Sequence, residues 1–362
     1  MSKPLRVALD ARRAAWMPHT GIGRYVGELL RHAHLDHRIE FVGLLAAGQQ
    51  PVQGEVSWLR LGPALSAPGR LVWEQLSEPY AVRRSSADVI HLPWHEGSPA
   101  PGAPLVLTVQ DVVALTRGAT RSRTFAYYRR LLRILAPRAR RVIVPSRATA
   151  KDLCVLGVAP NRVRVIPYGH DPRLLGLRAS GPQLGATQTI LYCGGYGARK
   201  RLDVLLKAMG SVAEWHPEAH LVLVGSVPCD IRRLVSDLGL EQHVRMPGRI
   251  SDSELRGLYA NADACVYPSE HEGFGFPVLE ALTAGVPLVA SDASSVPEIA
   301  GGIGWLVPPG EPAAFADALR EVLAAGPSVL DRVAQGSLRA EGFSWATCIA
   351  AHADVYLEAA HG

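Results

Sequence analysis

The apolar positions of the chain fall in short runs separated by stretches of helical period. One set of runs lies at 6–9, 40–45, 89–91, 105–109, 141–144 and 163–166; a second lies at 189–192, 220–224, 244–246, 264–267, 287–290 and 303–307. Runs this short and this continuously apolar predict strands buried on both faces. Between most of them lie amphipathic stretches of helical length, such as 23–33, 124–136, 201–215, 231–238 and 313–325. Alternating strands and helices predict an α/β protein whose parallel sheets carry helices on both sides. The alternation pauses over 169–188, which is rich in structure breakers and reads as a linker near mid-chain. The expected architecture is two Rossmann-like domains facing each other across a cleft, with ligands at the strand C-termini.

Composition agrees with two cored domains. The chain has 362 residues, 48% hydrophobic and 20% charged, which is too apolar for a disordered segment. The Gly and Pro residues follow no fixed period, so collagen-like and low-complexity readings fail. Five cysteines at 154, 193, 229, 265 and 348 include no C-x-x-C pair, which suggests free thiols in a reducing cytoplasm and neither a disulfide framework nor a zinc site. The N-terminus carries no apolar signal stretch, and no run of 18 apolar residues occurs. The net charge of +5 is uneven. Residues 112–151 hold ten Arg, one Lys and no acid, a local +11 against −6 for the rest.

Two glycine turns are candidates for anion binding. Gly21-Ile22-Gly23-Arg24-Tyr25-Val26-Gly27 begins ten residues after the first strand ends, too late for a dinucleotide fingerprint. It reads as a glycine turn opening a helix, where Gly21, Gly23 and Arg24 could meet a phosphate. Gly194-Gly195-Tyr196-Gly197-Ala198-Arg199-Lys200 sits at a strand-to-helix turn and includes one of only four lysines. Arg supplies a fork and Lys a point charge, so this turn fits a phosphate better. The alternative is a solvated loop.

The sharpest local signal is Pro268-Ser269-Glu270-His271-Glu272-Gly273-Phe274-Gly275-Phe276-Pro277-Val278-Leu279-Glu280. Pro277 fits the first turn of a helix that ends before Gly285. Glu272 is thus expected in a glycine loop and Glu280 one turn into the helix. A sugar diphosphate suits this pattern: N–H groups and helix dipole for phosphate, carboxylates for sugar hydroxyls. A capping Glu280 with a surface Glu272 is the structural alternative. A glycosidase acid and nucleophile is the catalytic one, disfavoured by the Rossmann-like halves.

These residues resemble the retaining glycosyltransferases of family 4, group 1, which have the GT-B fold and include bacterial mannosyltransferases. The likeness spans nearly the whole chain. It rests on Glu272-x7-Glu280 framed by Arg199-Lys200, and on Leu9-Asp10-Ala11-Arg12, Thr20-Gly21-Ile22-Gly23, Val165-Ile166-Pro167-Tyr168-Gly169, Pro247-Gly248-Arg249 and Val296-Pro297-Glu298. The resemblance implies that Arg199 and Lys200 bind the donor diphosphate, Glu280 the ribose, and Glu272 the donor sugar at the reaction centre. Gly273, Phe274 and Gly275 would give backbone contacts, and Gly248, Arg249 and Ile250 would hold the base. It implies an acceptor domain over 1–172, a donor domain over 173–340 and a returning C-terminal helix over 341–362. Gly21 and Gly23 would face the acceptor cleft; Arg24 and His91 are further cleft candidates from the residues themselves, with side-chain packing the alternative for His91.

Two departures stand out. The family often has His in Thr-Val-His-Asp, where this chain has Thr108-Val109-Gln110-Asp111. Gln110 can donate and accept hydrogen bonds but carries no proton at neutral pH. Many relatives also have Arg at the position of Gly195. No Asp-x-Asp occurs, so no metal or other cofactor is expected, and cations with helix N-termini would neutralise the leaving diphosphate. The spacing of His91 and His95 suits a metal only in a helix, which Pro93 argues against.

The expected activity is retaining, metal-independent transfer of a hexose, with mannose from GDP-mannose the first choice, to a glycan, glycolipid or small-molecule hydroxyl. The rival is a weak or inert relative that binds a sugar nucleotide or partner protein; a nicotinamide oxidoreductase ranks third. Within the basic window, Phe125, Tyr128, Leu132 and Leu135 share a helix face, with Arg123, Arg129, Arg130 and Arg133 largely off it. That pattern fits a solvated face, or peripheral membrane contact through 117–141 on the cytoplasmic side. Nothing in it resembles a nucleic-acid-binding fold.

Overall fold

The computed structural model describes residues 3–54, 56–62, 67–112, 123–177 and 187–362. They form two compact units, Met1–Gly169 with Ser344–Gly362, and His170–Phe343. Part of the mid-chain linker and part of the basic window, residues 178–186 and 113–122, lie outside the described residues.

The N-terminal unit holds β1 (Leu5–Asp10), β2 (Ile39–Leu45), β3 (Ser57–Arg60), β4 (Val89–Leu92), β5 (Leu105–Thr108), β6 (Arg141–Val144) and β7 (Val163–Val165). They form one parallel sheet in the order β3-β2-β1-β4-β5-β6-β7. The second unit repeats the plan with β8 (Gln188–Cys193), β9 (Ala219–Val224), β10 (Val244–Gly248), β11 (Ala264–Tyr267), β12 (Leu288–Ser291) and β13 (Trp305–Val307), ordered β10-β9-β8-β11-β12-β13. Each sheet reverses its winding beside its first strand, at β1/β4 and β8/β11, and ligands of doubly wound sheets bind at such switch points. All twelve apolar runs form strands. The unpredicted one, β3, is an edge strand with exposed ends, so burial imposes no apolar run on it.

The flanking helices include α1 (Gly21–Arg31), α2 (Arg123–Arg138), α3 (Leu202–Trp215), α4 (Phe276–Ala284) and α5 (Trp345–His361). Helix α5 belongs to the N-terminal unit and packs on β1, β4 and β5. Its attachment is a directional chain of hydrogen bonds whose polarity follows from its last acceptor. The carbonyl of Cys348 can only accept, so His352 Nδ1 carries the proton (2.7 Å) and Nε2 accepts from the Tyr25 hydroxyl (2.7 Å). Tyr25 then accepts from Thr108 (3.1 Å), Thr108 from His91 Nε2 (2.7 Å), and His91 Nδ1 from Tyr356 (2.8 Å). The side chains of Tyr25, Thr108, His91, His352 and Tyr356 are all buried, and each proton has one place to go.

This network predicts acid sensitivity. Burial lowers the His352 pKa to about 4, and burial followed by the neighbouring His352 lowers that of His91. A group whose folded pKa lies below its unfolded value stabilises the fold above about pH 6.5 and loses that contribution as pH falls towards 4. For His352 the loss is roughly 3 kcal/mol. Buried Glu78, whose pKa is raised by burial, acts in the opposite sense. Urea unfolding of the wild type and His352→Gln at pH 7.5 and 4.5 separates the two: the wild type should lose more stability than the variant, and equal losses would contradict the network.

Candidate active site

In the C-terminal unit the site assembles on loops that follow β8 and β11, on either side of the switch point. After β8 the chain passes Gly194 and Gly195 into a single 3-10 turn, Ala198–Lys200, and then into α3. Arg201, which caps α3, adopts a left-handed backbone (φ 50°) and is held there by ion pairs to Glu270 and Asp203. The loop after β11 is zipped to this turn, since the Glu270 N–H donates to the Arg199 carbonyl (2.9 Å).

The result is a buried ion cluster. Glu272 and Lys200 are each 7% exposed. Glu272 Oε1 accepts from Lys200 Nζ (2.5 Å), Arg199 (2.8 Å) and the Ser269 hydroxyl (2.5 Å). Lys200 also donates to the Tyr267 hydroxyl (2.7 Å), and Arg199 to the His271 carbonyl (2.8 Å). Burial alone would raise the Glu272 pKa. Lys200, then Arg199, outweigh it and hold the carboxyl below the ordinary range, so it is ionised at neutral pH. One carboxylate against two cations leaves the cluster with a net positive charge.

Beside this cluster the loop becomes α4. Gly275 caps the helix at φ 97°, a left-handed conformation that disfavours any side chain. Pro277 occupies the first turn, as its missing N–H allows. Phe274 is buried against Phe276 and Phe343. Glu280 lies one turn into α4, 7% exposed, accepting from the buried Tyr259 hydroxyl (2.7 Å). Gly248 ends β10 and its carbonyl accepts from the Gly225 N–H that follows β9 (2.9 Å); Arg249 beyond it is exposed and Ile250 half-buried. Arg199, Lys200 and Glu272 therefore form one contact cluster, while Glu280 and the Gly248–Ile250 turn have their own partners.

The remaining candidates belong to the N-terminal unit. Gln110 follows β5 and its amide is engaged at both ends: Oε1 accepts from Tyr168 (2.6 Å) and Nε2 donates to the Pro93 carbonyl (3.3 Å). Tyr168 stacks between Tyr25 and Trp345, which fixes the donor. Gly21 opens α1 and is exposed. Gly23 is buried and its N–H donates to the capping Thr20 hydroxyl (3.2 Å). A Cβ on Gly23 would lie 2.0 Å from the Met17 carbonyl oxygen, so close backbone packing explains that glycine. Arg24 is half-buried. His91 corrects an expectation: its side chain is wholly buried, with both ring nitrogens in the α5 network, and cannot line an acceptor site. Among the described residues no group of three or more His, Cys, Asp or Glu could hold a metal ion.

Sequence reasoning missed Ser269, Tyr267, Ser294 and Ser295, which hold Glu272 through side chain or backbone. It also missed the acids around Arg12. That guanidinium grips Asp10 with two bonds (2.9 and 2.7 Å) and lies within 4.0 Å of buried Glu74 and Glu78. The i, i+4 spacing of Glu74 and Glu78 beside Trp73 was the available signal.

Two doubly wound parallel sheets with a cationic turn and a glycine loop at the switch point of the second define a GT-B architecture. The comparisons agree. Residues 19–174 match the family model for Glycosyltransferase Family 4, and residues 178–336 that for Glycosyl transferases group 1. A phosphatidyl-myo-inositol mannosyltransferase of Mycobacterium leprae is 31% identical over 290 residues, 75% of this chain and 71% of the relative. A GDP-mannose:cellobiosyl-diphosphopolyprenol alpha-mannosyltransferase of Xanthomonas oryzae pv. oryzae is 30% identical over 220 residues, 57% of this chain and 56% of the relative. The solved sucrose-phosphate synthase of Thermosynechococcus elongatus shares the fold, with a TM-score of 0.77, 22% identity and 98% coverage of both chains. The chain belongs to the family 4, group 1 glycosyltransferases and is a glycosyltransferase enzyme.

Proposed function

We propose that this enzyme moves a mannosyl group from GDP-mannose to a hydroxyl of a glycan, lipid-linked or small-molecule acceptor, with retention of configuration and without a metal or other cofactor. The observation that carries the reading is the buried Glu272–Arg199–Lys200 cluster beside the N-terminus of α4. The donor diphosphate takes up Arg199, Lys200 and the backbone of Gly273, Phe274 and Gly275. Glu272 is then free to accept from sugar hydroxyls, Glu280 to accept from the ribose, and Gly248, Arg249 and Ile250 to flank the base. The C1–O bond to phosphate breaks, the acceptor oxygen bonds to C1, and the acceptor proton passes to the leaving phosphate oxygen. No protein base is required, consistent with an amide at Gln110. The acceptor is assigned to the N-terminal unit, including Gly21 and Arg24. The mannosyl and GDP assignments follow the activities of the two mannosyltransferase relatives. A thermal-shift screen of GDP-, UDP- and dTDP-sugars tests the donor: GDP-mannose should raise the melting temperature most, and a larger shift with another base would displace it.

Peripheral contact with an anionic membrane on the cytoplasmic side is part of the same proposal, in altered form. Residues 117–122 of the basic segment lie outside the described residues. In α2, Tyr128, Leu131, Leu132 and Leu135 are buried in the core of the N-terminal unit, so this face cannot enter a bilayer. Arg129, Arg130 and Arg133 are exposed and can act only through charge. Among the described residues no helix is long and apolar enough to cross a membrane. Binding to vesicles containing anionic lipid should weaken with salt and with charge reversal at these three arginines; unchanged binding would leave them as a solvated face.

A further inference from the structure

We infer that Ser294 and Ser295, in the loop after β12, are positioning residues that aim the peptide N–H groups of Gly273 and Gly275 at the donor diphosphate; this rests on the donor site proposed above. The Ser294 hydroxyl donates to the Glu272 carbonyl (2.7 Å). The Ser295 hydroxyl, fully buried, shares its proton between the carbonyls of Glu272 (3.0 Å) and Phe274 (2.9 Å). Both carbonyls are thereby pulled towards one point behind the loop. In a trans peptide the C=O and the next N–H point in opposite directions, and no peptide among the described residues is cis. Fixing the 272 and 274 carbonyls therefore turns the 273 and 275 N–H groups to the opposite side of the loop. Two such N–H groups, two residues apart and next to a helix N-terminus, make an anion-binding concavity.

The backbone shows that this arrangement is imposed. Ser294 sits at φ 54°, a left-handed conformation that is uncommon outside Gly, Asn and Asp. A glycine would relieve that strain but would lose the hydroxyl that holds Glu272. The hydrogen bonds also tie Glu272 down at its backbone, while Lys200, Arg199 and Ser269 hold its carboxylate. The peptide dipoles are thus set from the loop after β12, and the carboxylate from the loops after β8 and β11.

The test uses Ser294→Gly, which relieves backbone strain and so preserves the fold, and Ser295→Ala. GDP and UDP affinities are measured against guanosine and uridine, together with melting temperature and the donor KM and kcat. Each variant should bind the preferred nucleoside diphosphate about tenfold more weakly, as expected for losing one orienting hydrogen bond. Nucleoside affinity and the melting temperature of Ser294→Gly should be unchanged. Diphosphate affinity within twofold of wild type in Ser294→Gly would overturn the inference. A wild type that binds neither GDP nor UDP would instead overturn the donor site itself.

Discussion

Glu272→Gln should lower sugar transfer by about 10²- to 10³-fold while nucleoside diphosphate binds at least as tightly as to wild type. The first effect follows from losing a fixed charge where positive charge develops on the sugar in the transition state. The second follows from the geometry of the free site. Glu272 Oε1 occupies both cations, with Arg199 at 2.8 Å and Lys200 at 2.5 Å. An incoming diphosphate has to share those donors with it. The amide keeps the shape of the side chain but gives up the negative charge, so the cations are released to the phosphates. Steady-state kinetics with the donor and titration with GDP check the two halves separately. A variant with near wild-type kcat would remove Glu272 from the reaction centre. A variant that bound diphosphate more weakly would show that the carboxylate assists phosphate binding.

Lys200→Ala should be damaging in both stability and donor binding. Lys200 is one of two cations that keep a buried carboxylate ionised, and its loss leaves Glu272 with Arg199, whose side chain is 34% exposed. Breaking a buried pair from one side costs about 3–5 kcal/mol. The cost should appear in urea unfolding at pH 7 and shrink as pH falls, because a less compensated Glu272 accepts a proton more readily. The double variant Lys200→Ala, Glu272→Gln should recover part of the stability but none of the transfer activity. Equal stability in the single and double variants would mean that the pair is not coupled as the distances imply.

Much of the fold was legible because two-sided burial writes itself as apolar runs. The two parallel sheets followed from that pattern. Strand β3 did not, since an edge strand needs no such run. The helix over 124–136 was legible as amphipathic, yet periodicity alone could not say whether its apolar face meets a core or a membrane; Leu131, Leu132 and Leu135 in the core decide it. In the site, Glu272 stood out through the glycine loop around it, and Arg199 and Lys200 as adjacent cations at a strand-to-helix turn, Lys200 being one of only four lysines. Ser294 and Ser295 did not, because a hydroxyl that fixes a carbonyl 21 to 23 residues away leaves no spacing to read. His91 was open between packing and acceptor lining for a related reason: only the packing of α5, more than 250 residues later, shows that Tyr356 occupies its Nδ1.

The central claim is that the Glu272–Arg199–Lys200 cluster serves the breaking of a sugar–diphosphate bond. The most direct measurement is release of nucleoside diphosphate from a panel of nucleotide sugars, GDP-mannose first, with wild type and Glu272→Gln side by side, in the presence and absence of candidate acceptors. The account predicts acceptor-dependent GDP release by the wild type and almost none by the variant. Equal release by both proteins, or none by a folded wild type that binds these sugars, would contradict it.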